Sequence, residues 1–293
     1  MSFPKRIIEV QITLKEGFFS GDSDTITIKG HRVNCAIRSP GGMSSGDLQC
    51  VIYGLRQDLM NKLTGIGIFG RQNINNTIRI NAGSEDADGK IDIATVYQGS
   101  INQSWADYSG QPVAVLQILA YGAVPLAMNT ASPTSLEGDI PVPVLFESIA
   151  KEKGYTLINK GIIGSKSNPY YSGTTLDKIQ AVARDVKCNY LIDEINKTLT
   201  IFPLDGYAND DIPLISPQTG LIGYPTFAEN GIIVKSLFNR FITNATRCEI
   251  QSSIKAANGL FSTFDAVHNI ESENNESGGA WFTDFRAFRL SDG

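Results

Sequence analysis

Two histidines and a few closely spaced carboxylates are the first residues of this 293-residue chain to consider for catalysis. His31 lies at a strand end or turn, where a surface or interface imidazole is favoured over a general base. His268 alternates with Ala266 and Ile270, which places it on one face of a strand. We therefore expect His268 to face a sheet or a neighbouring subunit, and neither histidine to be catalytic.

Paired carboxylates would indicate a glycosidase, which needs two of them about 5 to 10 Å apart across a cleft. The candidate acids, Asp210, Asp211, Glu271 and Glu273, lie in polar stretches typical of solvated loops or strand ends. Residues 65–70 carry the first glycines of a phosphate-binding loop, but they follow a helical pattern and lack the second helix and the ribose-binding acid. The sequence favours a flexible connection there and predicts no catalytic or cofactor-binding residue.

The four cysteines could bind a metal or form disulfides. They are far apart in sequence and stand among apolar residues, at positions Cys35, Cys50, Cys188 and Cys248. The chain has no CxxC pair and only two histidines, so a zinc site would have to be assembled from remote positions. We predict reduced core cysteines, no metal and no cofactor.

The composition limits the possible partners. Hydrophobic residues make up 42% of the chain and charged residues 19%, below the roughly 25% typical of soluble domains. A low charge fraction is consistent with a surface partly covered by partners. The net charge is −5 and no block of five like charges occurs, so nucleic acid is not the expected main partner, since phosphate binding needs clustered cations.

Neither a membrane span nor a secretion signal is expected. The longest apolar candidate, residues 113–128, is interrupted by Gln117, Gly122 and Pro125 and falls short of the roughly 20 residues that cross a bilayer. The first residues enter a strand pattern without a preceding apolar segment. We expect assembly in a cytoplasm and no membrane insertion.

The first part of the chain, residues 5–100, alternates as β-strands do. Ile8, Val10, Ile12 and Leu14 share one face of the first strand. Helical spacing of apolar residues predicts a short helix at 56–64. Strand patterns at 77–83 and 91–99 flank a polar turn and predict a hairpin.

The middle part begins after a polar connection at residues 129–139. Apolar spacing predicts helices at 144–153 and 175–187, the second preceded by a threonine cap. Strands are predicted at 189–193 and 198–203, so this part should be a small α+β unit. Tyr170 and Tyr171 follow Asn168-Pro169 in a predicted turn, which makes an exposed recognition loop possible.

The last part follows a turn-rich linker at residues 205–223. Short β-rich runs at 231–238, 247–252 and 261–271 predict a small antiparallel sheet or barrel. Trp281 and Phe285 share a face of the final strand and are expected in the core, with an interface patch as the alternative.

Four stretches of the sequence carry a resemblance to a known family. Gly223-Tyr224-Pro225-Thr226 leads into Gly231-Ile232-Ile233-Val234-Lys235-Ser236-Leu237-Phe238-Asn239, and the chain nearly ends on Gly278-Gly279-Ala280-Trp281-Phe282-Thr283. Near the other end, VIYGLRQDLMNKLT at 51–64 is similar to the first tube domain of the same family. The combination resembles baseplate hub proteins of contractile-tailed bacteriophages, over about residues 1–128 and 220–290.

The resemblance implies a fold. It is α+β, mainly β, with two tube-forming β-barrel-like domains and a small inserted α+β domain on the periphery of a ring. The predicted division is residues 1–128 for the first tube-like domain, 129–205 for the small α+β domain and 206–293 for the second tube-like domain.

The resemblance also implies a function. The chain would be a structural subunit, not an enzyme, of the virion: a homotrimer in the tail baseplate. It would join the tail tube, or a tube-initiator protein, to the tail spike protein and contact baseplate wedge proteins. DNA would pass through the ring only as cargo during genome ejection.

Two alternatives remain open at this point. One is a cell-wall-degrading tail enzyme, against which the absence of a recognisable acid pair argues. The other is a receptor- or carbohydrate-binding tail module, suggested by Tyr170 and Tyr171.

Overall fold

The computed structural model describes residues 5–19, 21–40, 46–65, 76–110, 113–128, 130–274 and 279–290. Residues 66–70 of the connection predicted at 65–70 lie outside the described residues. So does Gly278, the first residue of the segment 278–283 that resembles the hub family. Strands account for most of the regular structure, which confirms the mainly β α+β class. The division at residues 128 and 205 stays a prediction.

The chain separates into two compact units. The first consists of Met1–Arg38, Gly46–Gly122 and His268–Phe282, and the second of Ser39–Ser45, Ala123–Val267 and Thr283–Gly293. Two long C-terminal strands therefore contribute residues to both units.

The first unit is built on an antiparallel sheet. Its elements are β1 (Lys5–Thr13), β2 (Thr25–Ile28), β3 (Val33–Pro40), β4 (Asp47–Tyr53), α1 (Gln57–Leu63), β5 (Thr77–Glu85), β6 (Ile91–Asp107) and β7 (Val115–Tyr121). The strand order is β3-β4-β7-β6-β5-β1-β2. The predicted short helix and the predicted hairpin, now β5 and β6, are both confirmed.

The core of this unit follows from the alternation in β1. Val10 lies opposite Ile80 and Ile12 opposite Ile78, and all four side chains are buried. Burying such β-branched pairs on one face of a sheet supplies roughly 1.5–3 kcal/mol per side chain, and fixes the register, since a slip of one residue would turn them to solvent.

The second unit opens with a small α+β region. Its elements are α2 (Val124–Ala127), β8 (Thr130–Ser135), β9 (Asp139–Pro141), α3 (Val142–Lys151), β10 (Thr156–Asn159), β11 (Ser165–Ser167), β12 (Tyr170–Thr174), α4 (Thr175–Val186), β13 (Cys188–Asp193) and β14 (Thr198–Pro203). Strands β10, β14 and β13 form one sheet, while β9 pairs with β11 and β8 with β12.

Both predicted helices of this region are present. The Asp177 backbone N–H donates to Thr174 Oγ1 at 3.1 Å and the Thr174 N–H donates to Asp177 Oδ2 at 2.9 Å, a reciprocal cap that begins α4. The other helix, α3, begins two residues earlier than predicted, with Pro143 in its first turn, where a missing N–H costs nothing. At 12 residues α4 is the longest helix in the described part of the chain, and no helix there could cross a membrane.

The remaining elements complete the second unit. They are β15 (Leu214–Ile215), β16 (Thr226–Ala228), β17 (Gly231–Leu237), β18 (Arg247–Ile250), a 3-10 turn (Lys255–Ala257), β19 (Gly259–Ser272) and β20 (Trp281–Arg289). The order is β16-β17-β20-β19, with β18 pairing with β15 and β19. Ile232, Val234, Phe261 and Phe285 lie in its apolar core, as expected for Phe285.

Candidate assembly surface

The sheet of the second unit ends at β16. Within the described residues β16 pairs with β17 alone, with Phe227 opposite Ile232. The same edge of β17 also binds an earlier segment, because the Leu237 N–H donates to the Gly220 carbonyl oxygen at 2.7 Å. A strand of three residues at the end of a sheet leaves backbone groups that another chain can pair with.

Strand β17 presents apolar side chains on its outer face as well as its inner one. Ile232 and Val234 are buried, whereas Ile233 is 39% exposed and Leu237 is also exposed. Between these two outer residues, Lys235 forms an ion pair with Asp284 at 3.6 Å. The outer face is therefore apolar at both ends and charged in the middle.

Three more large apolar residues are exposed between positions 224 and 241. Tyr224, Phe227 and Phe241 are all more than half exposed. With Ile233 and Leu237 they make five such side chains within residues 224–241, and we refer to these five as the β17 surface. Phe227 lies opposite Ile232 and therefore on the other face of the sheet from Ile233 and Leu237, so large apolar side chains are exposed on both faces at this end of the sheet. So many exposed apolar residues within a short segment favour an interaction site.

The local sequence explains how β17 is held. Gly231 begins the strand with a φ of 138°, a conformation that side chains disfavour. A Cβ atom at this position would lie 2.1 Å from the Ala287 carbonyl oxygen, so only glycine allows β17 to approach β20 here.

A second sheet end lies in the first unit. Within the described part of the chain, β2 pairs only with β1. The hydroxyl oxygens of Thr13 and Thr25 lie 2.9 Å apart and fix this pairing. Because β2 has a described partner on one side only, its other side is an open edge, and Thr27 of this strand is exposed.

Two arginines of the first unit hold the turn between β19 and β20. Arg32 Nε donates to Glu271 Oε1 at 2.8 Å, and Arg6 Nη1 donates to the Gly279 carbonyl oxygen at 3.0 Å. The Arg6 guanidinium also lies 5.7 Å from the centre of the Trp281 ring. Trp281 is half-buried under this cation, and our expectation of a core position for it is wrong.

The histidines occupy structural positions. His31 Nδ1 lies 3.0 Å from the Tyr53 carbonyl oxygen, which ties it to the end of β4. His268 is buried, and burial lowers its pKa to about 4, so its imidazole is neutral at pH 7.

The acids considered for a glycosidase pair lie beside cations. Asp210 forms an ion pair with Lys160, and Glu273 forms one with Lys5 at 3.4 Å. Glu271 accepts from Arg32 as described above. Each of these three carboxylates therefore makes a structural contact with a basic side chain.

All four cysteines are free thiols and buried, as predicted. Cys35 and Cys50, 15 positions apart in the sequence, lie together, with 3.5 Å between their sulfur atoms. Within the described residues, no group of three His, Cys, Asp or Glu side chains could hold a metal ion.

The tyrosine pair starts a strand instead of forming a turn. Tyr170 and Tyr171 lie opposite Ser135 and Thr134 of β8. The Tyr171 hydroxyl donates to Asp185 Oδ2 at 2.7 Å, while Tyr170 is 64% exposed. Only Tyr170 is free to present its ring to a ligand.

Two of the solved structures that share this fold are tail proteins. A tail protein from Neisseria meningitidis MC58 aligns with a TM-score of 0.60 at 9% identity, covering 96% of both chains. A 43 kDa tail protein of prophage MuSo2 from Shewanella oneidensis gives 0.60 at 8% identity, covering 98% of this chain and 97% of that one.

A third structure is an E. coli component of the type VI secretion system, described as similar to the bacteriophage T4 tail proteins gp27 and gp5. It aligns with a TM-score of 0.57 at 11% identity, covering 89% of this chain and 74% of that one. At these identities the likeness shows the fold alone.

Sequence comparison gives the family. No curated protein sequence matches this chain. The family model described as baseplate hub gp41 matches residues 7–276, which confirms the resemblance noted in the sequence. The chain therefore belongs to the baseplate hub gp41 family and is a structural component of a phage tail baseplate.

Proposed function

We propose that this chain forms a homotrimeric ring that joins the tail tube to the central spike of a contractile phage tail. The tube or a tube-initiator protein would bind one side of the ring and the spike protein the other, with wedge proteins around it. DNA would pass through the ring at genome ejection. The subunits would assemble in the host cytoplasm.

The observation that carries this proposal is the presence of two different open sheet ends on one chain. One is β16–β17 with the β17 surface, and the other is β2. Association between two different surfaces is head-to-tail, and it gives a closed ring when the rotation per subunit divides a full turn. We infer that β2 of one copy meets β16–β17 of the next, which would bury the apolar side chains between them.

The charge distribution supports a role for DNA as passing cargo. The chain has 25 Lys and Arg against 30 Asp and Glu, without a cationic block. Tight binding of DNA comes from several clustered cations that displace counterions from phosphates. A weakly acidic subunit would instead let DNA slide past.

The mass of the complex in solution tests the proposal. Light scattering across a concentration series should give a trimer, or a monomer that becomes a 3:3 complex when the candidate spike protein from the same genome is added. A stable monomer that ignores the spike protein would contradict the hub function.

A pair of matched variants tests the role of the β17 surface. Ile233→Glu places a charge in the proposed interface and should lower the trimer fraction at least tenfold, because a desolvated charge is costly. Ile163→Glu makes the same change at a residue that is 88% exposed and outside this surface, and should leave assembly unchanged. Equal assembly of both variants would show that the β17 surface does not lie in the subunit interface.

We also propose that the subunit has no catalytic activity. The ion pairs of Asp210, Glu271 and Glu273 support this view. The test is release of dye from labelled peptidoglycan by the purified protein. Release that disappears in Glu271→Gln would contradict the proposal.

Carbohydrate binding is the second candidate function, and the exposed ring of Tyr170 is the observation in its favour. A glycan array tests whether the protein binds carbohydrate in addition to, or instead of, acting as a hub subunit. A signal that Tyr170→Ala abolishes would support binding, and a silent array would count against it.

A further inference from the structure

Cys35 and Cys50 form the one thiol pair that the described residues bring together. Cys35 on β3 lies directly opposite Cys50 on β4 in an antiparallel ladder. Their sulfur atoms are 3.5 Å apart, and Cys35 donates a hydrogen bond to Cys50. Both side chains are buried.

The surrounding core fixes this geometry. The neighbouring inward pairs, Val33 with Ile52 and Ile37 with Leu48, are also buried and hold the two strands in register. The hydrogen bond to Cys50, together with burial, raises the pKa of the Cys35 thiol. The two cysteines therefore stand as thiols, with the Cys35 S–H directed at the Cys50 sulfur atom.

The other two cysteines lie in different environments. Cys188 belongs to the apolar cluster around α3 and α4. Cys248 belongs to the core of β17, β19 and β20. They serve as internal controls for a reaction that depends on two adjacent sulfur atoms.

We propose that Cys35 and Cys50 are a redox pair that hydrogen peroxide converts into a cross-strand disulfide. Opposite residues of an antiparallel ladder have Cα atoms about 4.5–5.5 Å apart. A disulfide requires about 4.4–6.8 Å. The sulfur atoms can therefore close the gap by side-chain rotation with little movement of the strands.

The chemistry balances with one peroxide molecule per pair. One sulfur of the pair attacks a peroxide oxygen as its own proton leaves, so that an S–O bond forms, the O–O bond breaks and the released hydroxide takes up that proton as water. The second thiol then attacks the sulfenic sulfur. The S–S bond forms, the S–O bond breaks, and the leaving hydroxyl departs as water with the second proton. Two thiols and one peroxide give one disulfide and two waters.

This reaction would link β3 to β4 only outside a reducing compartment. Cytosolic thiols are kept reduced, whereas a protein outside the cell loses that protection. A baseplate component encounters both environments. The bridge would close the chain between residues 35 and 50, and so restrict separation of the two strands.

The test uses the folded full-length protein, with and without hydrogen peroxide, followed by mass spectrometry under non-reducing conditions. We expect the loss of two hydrogen atoms and a cross-linked peptide containing Cys35 and Cys50, both reversed by dithiothreitol. Circular dichroism of the oxidised protein should show that it stays folded. Cys188 and Cys248 should remain thiols.

Variants make the test specific. Cys188→Ala should form the bridge as the natural protein does, and Cys50→Ala should not. The cross-linked peptide of the natural protein needs no variant, so the result stands even if Cys50→Ala fails to fold. Thiols that persist at both positions, conversion to sulfinic acid without a link, or a link that forms only in urea would overturn the proposal.

Discussion

Lys178 shows at the residue scale how a charge can be held inside this protein. Its side chain is fully buried in α4, and its ammonium donates to both carboxylate oxygens of Glu152 at 2.6 and 2.7 Å. It also donates to the Ser132 carbonyl oxygen at 3.0 Å and to Thr134 Oγ1 at 3.1 Å. The ammonium thus joins α4 to α3 and β8.

Removing this cation should be costly. We expect Lys178→Met to lower the free energy of unfolding by about 2–4 kcal/mol, less than a fully buried pair would cost because Glu152 is partly hydrated. The control is Lys151→Met, which removes an exposed i,i+4 pair with Glu147 and should cost about 0.5 kcal/mol or less. Urea unfolding measures both, and equal losses would contradict the account.

His268 should make stability depend on pH. Its pKa is lowered to about 4 by burial, against 6.5 in the unfolded chain. Between these values only the unfolded chain takes up the proton, so stability present at pH 7 falls as the pH drops from 6.5 towards 4. We expect protonation of this residue to lower the free energy of unfolding by about 2 kcal/mol between pH 7 and pH 5.

Urea unfolding at the two pH values checks this prediction. His268→Gln should show a smaller fall than the natural protein, whatever its stability at pH 7. His31→Gln is the control: it retains the buried His268 imidazole and should show the same loss of stability between pH 7 and pH 5 as the natural protein. An unchanged fall in His268→Gln would refute the assignment.

At the scale of elements, β17 depends on the close approach that Gly231 permits. Gly231→Ala should lower the free energy of unfolding by about 3 kcal/mol or more, because it combines backbone strain with a clash against β20. Gly138→Ala is the control, since Gly138 has a φ of 88° but open space around it. That change should cost only about 1–2 kcal/mol. Similar unfolding midpoints for both variants would contradict this role for Gly231.

The pattern of neighbouring residues predicted the elements that are stabilised by residues close in sequence. The alternation in β1, the hairpin of β5 and β6, and the capped helix α4 follow from period and capping chemistry. The short strands β8, β9, β11 and β12 were not predicted, because each has only a few residues and exists through a partner remote in sequence.

The candidate site was predicted less well than the elements. Alternation in β17 indicates two faces, but it cannot say that β16 leaves an open edge beside them. Arg6 and Gly279 are 273 positions apart, and no local signal connects them. Nor does any local signal connect Cys35 with Cys50, because their contact depends on the register of β3 and β4.

At the scale of the whole molecule, the proposed ring depends on head-to-tail contact between β2 of one copy and β16–β17 of the next. A contact between identical surfaces would instead give two-fold dimers. The native cysteines are buried, so a cysteine introduced at an exposed position can be linked selectively.

The most direct measurement is cross-linking between two single variants, Thr27→Cys on β2 and Ala228→Cys on β16, both exposed positions. The variants are mixed as dissociated subunits, allowed to associate and treated with a short bismaleimide. The account predicts linked dimers in the mixture and none with either variant alone. Dimers from Ala228→Cys alone, or a mixture that forms trimers without links, would contradict it.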